Sequence, residues 1–412
     1  MKVLMINKFL HLVGGSERYC FDLTDLLEEH GHTVIPFAMA HPRNRPGPYA
    51  SYFVRQMDYD ALLRGPLWHR ASAAFRSLYS PESRRKLKGL AAKARPGIAH
   101  LHLIQHQLTP SVLVALREAG VPSVMTLHEY QLLCPNYRLF SGGRPCERCR
   151  GGRFRHALPR RCVKGSWAAT LLAVLEMYWH RLWPIYRREV ARFIAPSRFM
   201  AEKMAAFGWP SERIETILHP VRLPARPLTS PSGSPYALYF GRLAPEKGLE
   251  TLLQALRKTD VRLWIAGEGP MLPGLLRQAE GLGARVRFTG FLEGEALHGA
   301  IAGARFVVVP SEWYEVFGLT IGETFAHQRA VVASRIGAIP ELVRHHQTGL
   351  LFSPGDAEEM ASRMQYLWQH PKEAEAMGRA GYETVRSLCD PERHYERIYA
   401  LYREVCDLPG AI

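Results

Sequence analysis

The 412-residue chain has no stretch approaching about 18 uninterrupted apolar residues, the length a helix needs to cross a bilayer. Its opening, Met1-Lys2-Val3-Leu4-Met5-Ile6, is too short for the apolar region of a signal peptide and lacks a small-residue cleavage site. It reads instead as a first buried strand. The chain is therefore expected in a reducing cytoplasm, where its seven cysteines serve as thiols or metal ligands rather than disulfides. The G-x-G-x-x-G fingerprint of dinucleotide-binding folds is also missing, which argues against a dehydrogenase. Acidic residues are scarce in one half only. Residues 1–222 carry 33 Lys and Arg against 16 Asp and Glu, a balance of +17, whereas the remainder carries 20 against 22. Such a split points the first half toward something anionic: phospholipid headgroups, a polyprenyl phosphate or nucleic acid.

What is present is apolar enough, at 47%, for two cores, and the length exceeds what one core organises. The informative stretch is Val307 to Glu323. Three valines before Pro310 read as a buried strand that stops, because proline cannot continue a central ladder. After a loop, apolar residues at Leu319, Ile321 and Phe325 announce a helix starting near Gly318. Free amides at a helix start bind anions, and glycine there lets a phosphate come close. Glu315 and Glu323 bracket that start, a span of roughly 12 Å if the interval is helical. Glu312 offers no competing register, since Thr320 stands eight places on.

Other segments carry chemistry in the same order along the chain. Gly14-Gly15 sits in the turn between the first strand and a helix with Tyr19, Leu23, Leu26 and Leu27 on one face, opening a βαβ unit. Residues 51–95 mix Trp68, Phe75, Leu78 and Tyr79 with many basic residues, a pattern compatible with a helix lying on an anionic membrane. His128-Glu129 follows a strand where ligands of parallel sheets bind. Cys134, Cys146, Cys149 and Cys162 then lie in a basic segment with few large apolar side chains. A structural Zn2+ held by all four is one reading; free thiols, an iron–sulfur cluster or a redox disulfide are others. Trp167 to Phe193 reads as a buried helix pair broken by Pro184. After a Pro- and Ser-rich linker, Gly241-Arg242-Leu243-Ala244-Pro245-Glu246-Lys247-Gly248 puts two cations in a turn after a strand, where they can clamp a pyrophosphate.

The domain reading is 1–222, with a Cys-rich insertion at 134–165; a linker at 223–235; a second domain at 236–390; and a last helix, 391–412, returning to the first domain. Taken together, the glycine turn, the His-acidic pair, the G-R-x-x-x-x-K-G octet and E-x7-E with its Phe317-Gly318-Leu319 resemble glycosyltransferase family 4, retaining enzymes of GT-B fold. That resemblance implies an α/β chain of two doubly wound Rossmann-like domains facing across a cleft. It implies a nucleotide diphosphate-sugar donor held by Gly14, Gly15, Arg242, Lys247, Phe317, Gly318, Leu319 and Glu323. His128 and Glu315 would be the catalytic pair, and no cofactor would be needed for catalysis. The acceptor would be a glycan or a lipid-linked molecule, met at an anionic membrane surface. A sugar-nucleotide epimerase or hydrolase of similar fold, or a basic zinc protein that binds nucleic acid, are the competing readings.

Overall fold

The computed structural model describes residues 1–56, 76–224 and 236–408. Trp68 and Phe75 of the basic stretch and most of the linker lie outside the described residues.

Six strands form the first sheet: β1 (Lys2–Ile6), β2 (Thr33–Phe37), β3 (Ile98–Leu101), β4 (Ser123–Thr126), β5 (Arg192–Ala195) and β6 (Ile214–Thr216). They run parallel in the order β2-β1-β3-β4-β5-β6, with Val3 opposite Val34 on one side and Ile98 on the other. The second sheet holds β7 (Ala237–Phe240), β8 (Leu263–Ala266), β9 (Val286–Gly290), β10 (Phe306–Val309), β11 (Ala330–Ser334) and β12 (Gly349–Phe352). Its order is β12-β11-β10-β7-β8-β9, again all parallel. Helices on both faces explain why whole strands such as β3, β4, β7 and β10 are buried end to end and read as unbroken apolar runs.

Each sheet has one place where the connections turn opposite ways. In the first it falls between β1 and β3, in the second between β7 and β10. The loops leaving the C-terminal ends of two such strands diverge and open a crevice, which is where parallel sheets hold ligands.

The domains are tied by two chain crossings. Helix Pro371–Leu388 packs on the second sheet, its Gly381 against the Phe325 ring. The chain then crosses, and helix Pro391–Asp407, capped by the Asp390 side chain on the Arg393 amide, lies on the first sheet. There Ile398, Leu401, Tyr402 and Val405 join Val3, Leu23 and Val124 in one apolar cluster. The other crossing runs beside it. The Val221 amide donates to the Cys389 carbonyl at 2.8 Å, and His394 Nδ1 lies 2.8 Å from the Leu218 carbonyl oxygen.

One sequence expectation needs correcting. Helices Trp167–Leu182 and Ile185–Glu189 do break at Pro184, and the second buries Ile185 and Tyr186. The first is not buried: it covers Thr170, Ala173, Val174 and Met177 but leaves Trp167, Leu171, Leu175, Trp179 and Leu182 in solvent. Its apolar residues surround most of the helix, so composition alone could not separate a helix packed on all sides from one packed on a single side.

A second polar contact, fully buried, anchors the terminal helix further along. Tyr402 Oη is 2.6 Å from His100 Nδ1, while His100 Nε2 is 2.6 Å from Thr126 Oγ1. Burial pushes the His100 imidazole down to about 3, so it is neutral and both ring nitrogens need these partners. Tyr402→Phe should cost about 1–3 kcal/mol in urea denaturation by orphaning His100 Nδ1, with no loss of ligand binding at the crevice.

Candidate functional site

The site is built at the crevice between β7 and β10. After β7 the chain turns through Arg242 to Lys247 and Gly248; after β10 it passes Pro310 and reaches Glu315. Gly248 is left-handed (φ 67°), and a Cβ there would stand 1.9 Å from the Pro310 carbonyl oxygen. Only glycine lets the two loops press together. The contact delivers Lys247 Nζ to within 2.6 Å of Glu315 Oε1, and Ser311 Oγ donates to the same oxygen. Burial alone would raise the Glu315 carboxyl, but the ammonium and these hydrogen bonds outweigh it and hold the group below the usual carboxylate range. Glu315 is ionised and fixed.

Gly318, itself left-handed, ends the loop as N-cap of helix Leu319–Ala326. The amides of Gly318, Leu319 and Thr320 make no hydrogen bond to the described protein, which leaves three donors pointing out of the helix start. One turn further on, the half-buried Glu323 carboxylate likewise has no hydrogen-bond partner among the described residues. Burial raises it to about 7, with Arg18 pulling down and Asp22 pushing up from the facing helix.

That facing helix, Gly15–Glu29, belongs to the first domain, and its extended N-cap is Gly14. A Cβ on Gly15 would lie 2.8 Å from Leu319 Cδ1, so the starts of the two helices meet. Beneath them lies a band of histidines. His102 Nδ1 is 2.9 Å from His128 Nε2, and His219 stacks on Tyr19 at 3.9 Å while its edge meets Phe317 at 5.1 Å. Burial lowers His128 to about 3 and drives His102 and His219 down as well, so all three are neutral at ordinary pH. His219 Nδ1 is buried and has no hydrogen-bond partner among the described residues.

The structure thus brings His128, Glu315, Gly14, Gly15, Arg242, Lys247, Phe317, Gly318, Leu319 and Glu323 into one continuous region. Several members escaped the sequence reading. Glu246 is fully buried and bound by Arg242 from its own loop and, at 3.1 Å, by Arg138 Nη1 from the first domain. Its i,i+4 spacing from Arg242 was the available signal. His102 was marked only by strand alternation with His100. Glu341 turns away from the crevice. Its carboxylate accepts from the amides of Arg198 and Phe199 at 3.0 and 2.7 Å, capping helix Arg198–Ala206 across the domain boundary.

The cysteines are all free, and among the described residues no group of three or more His, Cys, Asp or Glu side chains is arranged to hold a metal ion. The segment is packed by apolar contacts and hydrogen bonds. Cys149, Phe154 and Ala157 pack on Val174 and Met177, and Asn136 bonds the Phe140 carbonyl and the Cys134 thiol. Burial, then the neighbouring sulfurs, push Cys149 up to about 12, which keeps it a thiol. The segment also reaches the site, for Glu147 accepts from Lys203 Nζ at 2.6 Å and from Tyr314 Oη, beside Glu315, at 2.9 Å.

Comparison with known proteins agrees with this geometry. The profile of Glycosyltransferase Family 4 matches residues 13–223, just over half of the chain, and that of Glycosyl transferases group 1 matches residues 234–370. An α-D-kanosaminyltransferase of Streptomyces kanamyceticus is 32% identical over 178 residues, covering 42% of this chain and 46% of the relative. The D-rhamnosyltransferase WbpZ of Pseudomonas aeruginosa is 33% identical over 159 residues, 38% and 42% of the two chains. The matched part therefore spans less than half of each of these relatives. Among solved structures, sucrose-phosphate synthase of Thermosynechococcus elongatus superposes with a TM-score of 0.71 at 22% identity over 98% of both chains. Anabaena HepE in complex with UDP-glucose gives 0.65 at 19% identity over 98% and 100%. The chain belongs to glycosyltransferase family 4, and its two parallel-sheet domains have the GT-B fold.

Proposed function

We propose that the protein is a retaining glycosyltransferase that moves a sugar from a nucleotide diphosphate-sugar to a glycan or lipid-linked acceptor, in cell-surface polysaccharide or glycolipid synthesis at the cytoplasmic face of a membrane. The observation that carries this reading is the run from Lys247 to Glu323: a cation on Glu315, then three amides at Gly318, Leu319 and Thr320 and, one helical turn on, a carboxylate, none of which has a hydrogen-bond partner among the described residues. The curated relatives are sugar transferases by name, and HepE is described with UDP-glucose, which supports a nucleoside diphosphate-sugar as donor.

In this reading the diphosphate lies against the helix start. Arg242 and Lys247 oppose its charge from the other side, and an ammonium with three donors has two left after Glu315. Fixed cations and amides placed where charge collects on the leaving group do the work of a divalent ion, so none is required for transfer. Glu323 accepts the ribose hydroxyls, and Glu315 the sugar hydroxyls near the reacting carbon. Gly14 and Gly15 let the first domain's backbone close over the donor. His128, neutral and oriented by His102, bonds the donor sugar and the acceptor hydroxyl. No side chain is assigned as nucleophile. The acceptor enters from the side on which the diphosphate leaves, a front-face displacement.

Three outcomes are expected. A matching nucleotide diphosphate-sugar, from a panel of UDP-, GDP- and ADP-sugars, should raise Tm in proportion to the logarithm of its concentration above Kd, and a panel that leaves Tm unmoved removes the donor assignment. Lys247→Ala should lower kcat/KM about 10²–10³-fold, the size of effect seen when one donor to a developing anion is lost.

The third is a pH dependence. Glu323 must be ionised to accept hydroxyls, and its carboxyl sits near 7, so donor KM should fall as pH rises from about 6 to 8. Its folded value lies above the unfolded one, so without donor the protein loses stability as pH rises from the ordinary carboxylate range through 7. Glu323→Gln should abolish both trends and weaken donor binding about 10- to 100-fold.

A further inference from the structure

Helix Trp167–Leu182 exposes a face that nothing described covers. Trp167, Leu171, Leu175, Trp179 and Leu182 follow one another at helical spacing and are 50, 47, 53, 48 and 83% exposed. At 100° per residue they fall within one third of the helix circumference, an arc that holds no charged residue. The exposed apolar area is on the order of 500 Å2, at the upper end for a monomeric soluble protein and typical of functional patches.

The surroundings say what covers it. From Arg138 to Arg188 there are twelve Arg and Lys but only two acids. Neither acid answers the outer cations: Glu147 is held by Lys203 and Tyr314, and Glu176 is buried beneath the helix. Arg153, Arg155, Arg160, Arg161 and Arg181 are exposed and have no carboxylate partner among the described residues. Arg161 stands over the Trp167 ring at 5.8 Å, and Arg181 is on the helix itself beside Leu182, so cations border the apolar face at both ends. A second copy of this chain would bring two such rims together, and like charge opposes that pairing. A layer of negative headgroups over hydrocarbon answers both the rim and the face, and tryptophan suits that boundary. No helix among the described residues is long and apolar enough to cross a membrane, so this one would lie in the plane.

We propose that helix Trp167–Leu182 and its arginine rim dock the protein on an anionic lipid bilayer. The helix sits over the C-terminal edge of the first sheet. His106, in the loop leaving β3, is 3.7 Å from Glu176, and the insertion beneath the helix reaches the Glu315 loop through Glu147. Docking there sets the acceptor side of the site beside the membrane, which deepens the lipid-linked reading above. It also moves the membrane contact away from residues 51–95, where three of the five cations of helix Pro81–Ala94 are drawn to acids: Arg84 and Lys88 to Glu118, and Lys86 to Glu82.

The test is sedimentation of the full chain, without donor or acceptor, with phosphatidylcholine vesicles that contain or lack phosphatidylglycerol. Because neither substrate is present, failure here is distinct from failure of the donor assignment, which the Tm panel reads. The protein should pellet only with the anionic vesicles, and less as salt rises. Leu175→Ser combined with Trp179→Ser should cut binding about tenfold or more with Tm unchanged, since both side chains already face water. Arg160→Glu with Arg161→Glu should reduce it independently, so a folding defect in one variant does not protect the idea. Absence of anionic-vesicle binding, equal binding by both variants, or a homodimer in light scattering that the serine variant dissociates would each overturn it.

Discussion

The contact on which the rest of the site depends is the ion pair between Lys247 and Glu315. A carboxylate this deeply buried stays ionised because an ammonium lies 2.6 Å away, with the Ser311 hydroxyl donating to the same oxygen. The ammonium arrives there only because its loop leans on the Pro310 carbonyl through a glycine. From this point the chain proceeds to the Gly318 helix start and Glu323, so an error in the ion pair would displace every later group. The pairing also explains the division of labour between the two acids. Glu315 has a cation and stays charged, whereas Glu323 has none of its own and titrates near neutrality. Two glutamates eight positions apart thus have opposite electrostatic characters, set by their neighbours.

Much of this was legible from the order of residues. Unbroken runs such as Phe306–Val309 and Ala330–Ser334 announced doubly covered parallel strands, and Gly318 announced the helix start. What could not be read was anything requiring two distant segments at once. The burial of Glu246 depends on Arg138, which arrives from the first domain. His219 lies in a short Pro-flanked stretch with no periodicity, yet it packs between Tyr19 and Phe317. Glu341 caps a helix across the domain boundary, a role that needs both domains in place.

The cysteine-rich segment shows a different limit. Spacing of thiols says how metal could be bound, but not whether the fold brings the sulfurs into one shell. Phe154 and the buried side of helix Trp167–Leu182 supply apolar packing for the segment that spacing did not announce. That same helix was misread because an apolar composition signals burial only when some face is polar. Its outer arc is, if anything, the more apolar, since the inner one holds Thr170 and Glu176.

The paired crossings near Val221 and Cys389 bear on how the two halves can move. A single tether would permit twist and sway in any direction, whereas two adjacent crossings bonded to one another are expected to resist twist and to bend about an axis that runs across them. The Gly15 and Leu319 contact lies away from those crossings, so opening of the halves is expected to part the two helix starts first and leave the terminal helix seated. Severing the linker between 225 and 235 would accordingly not free the halves, because the second crossing and the helix it leads to, seated by buried Tyr402, would still hold them as one particle.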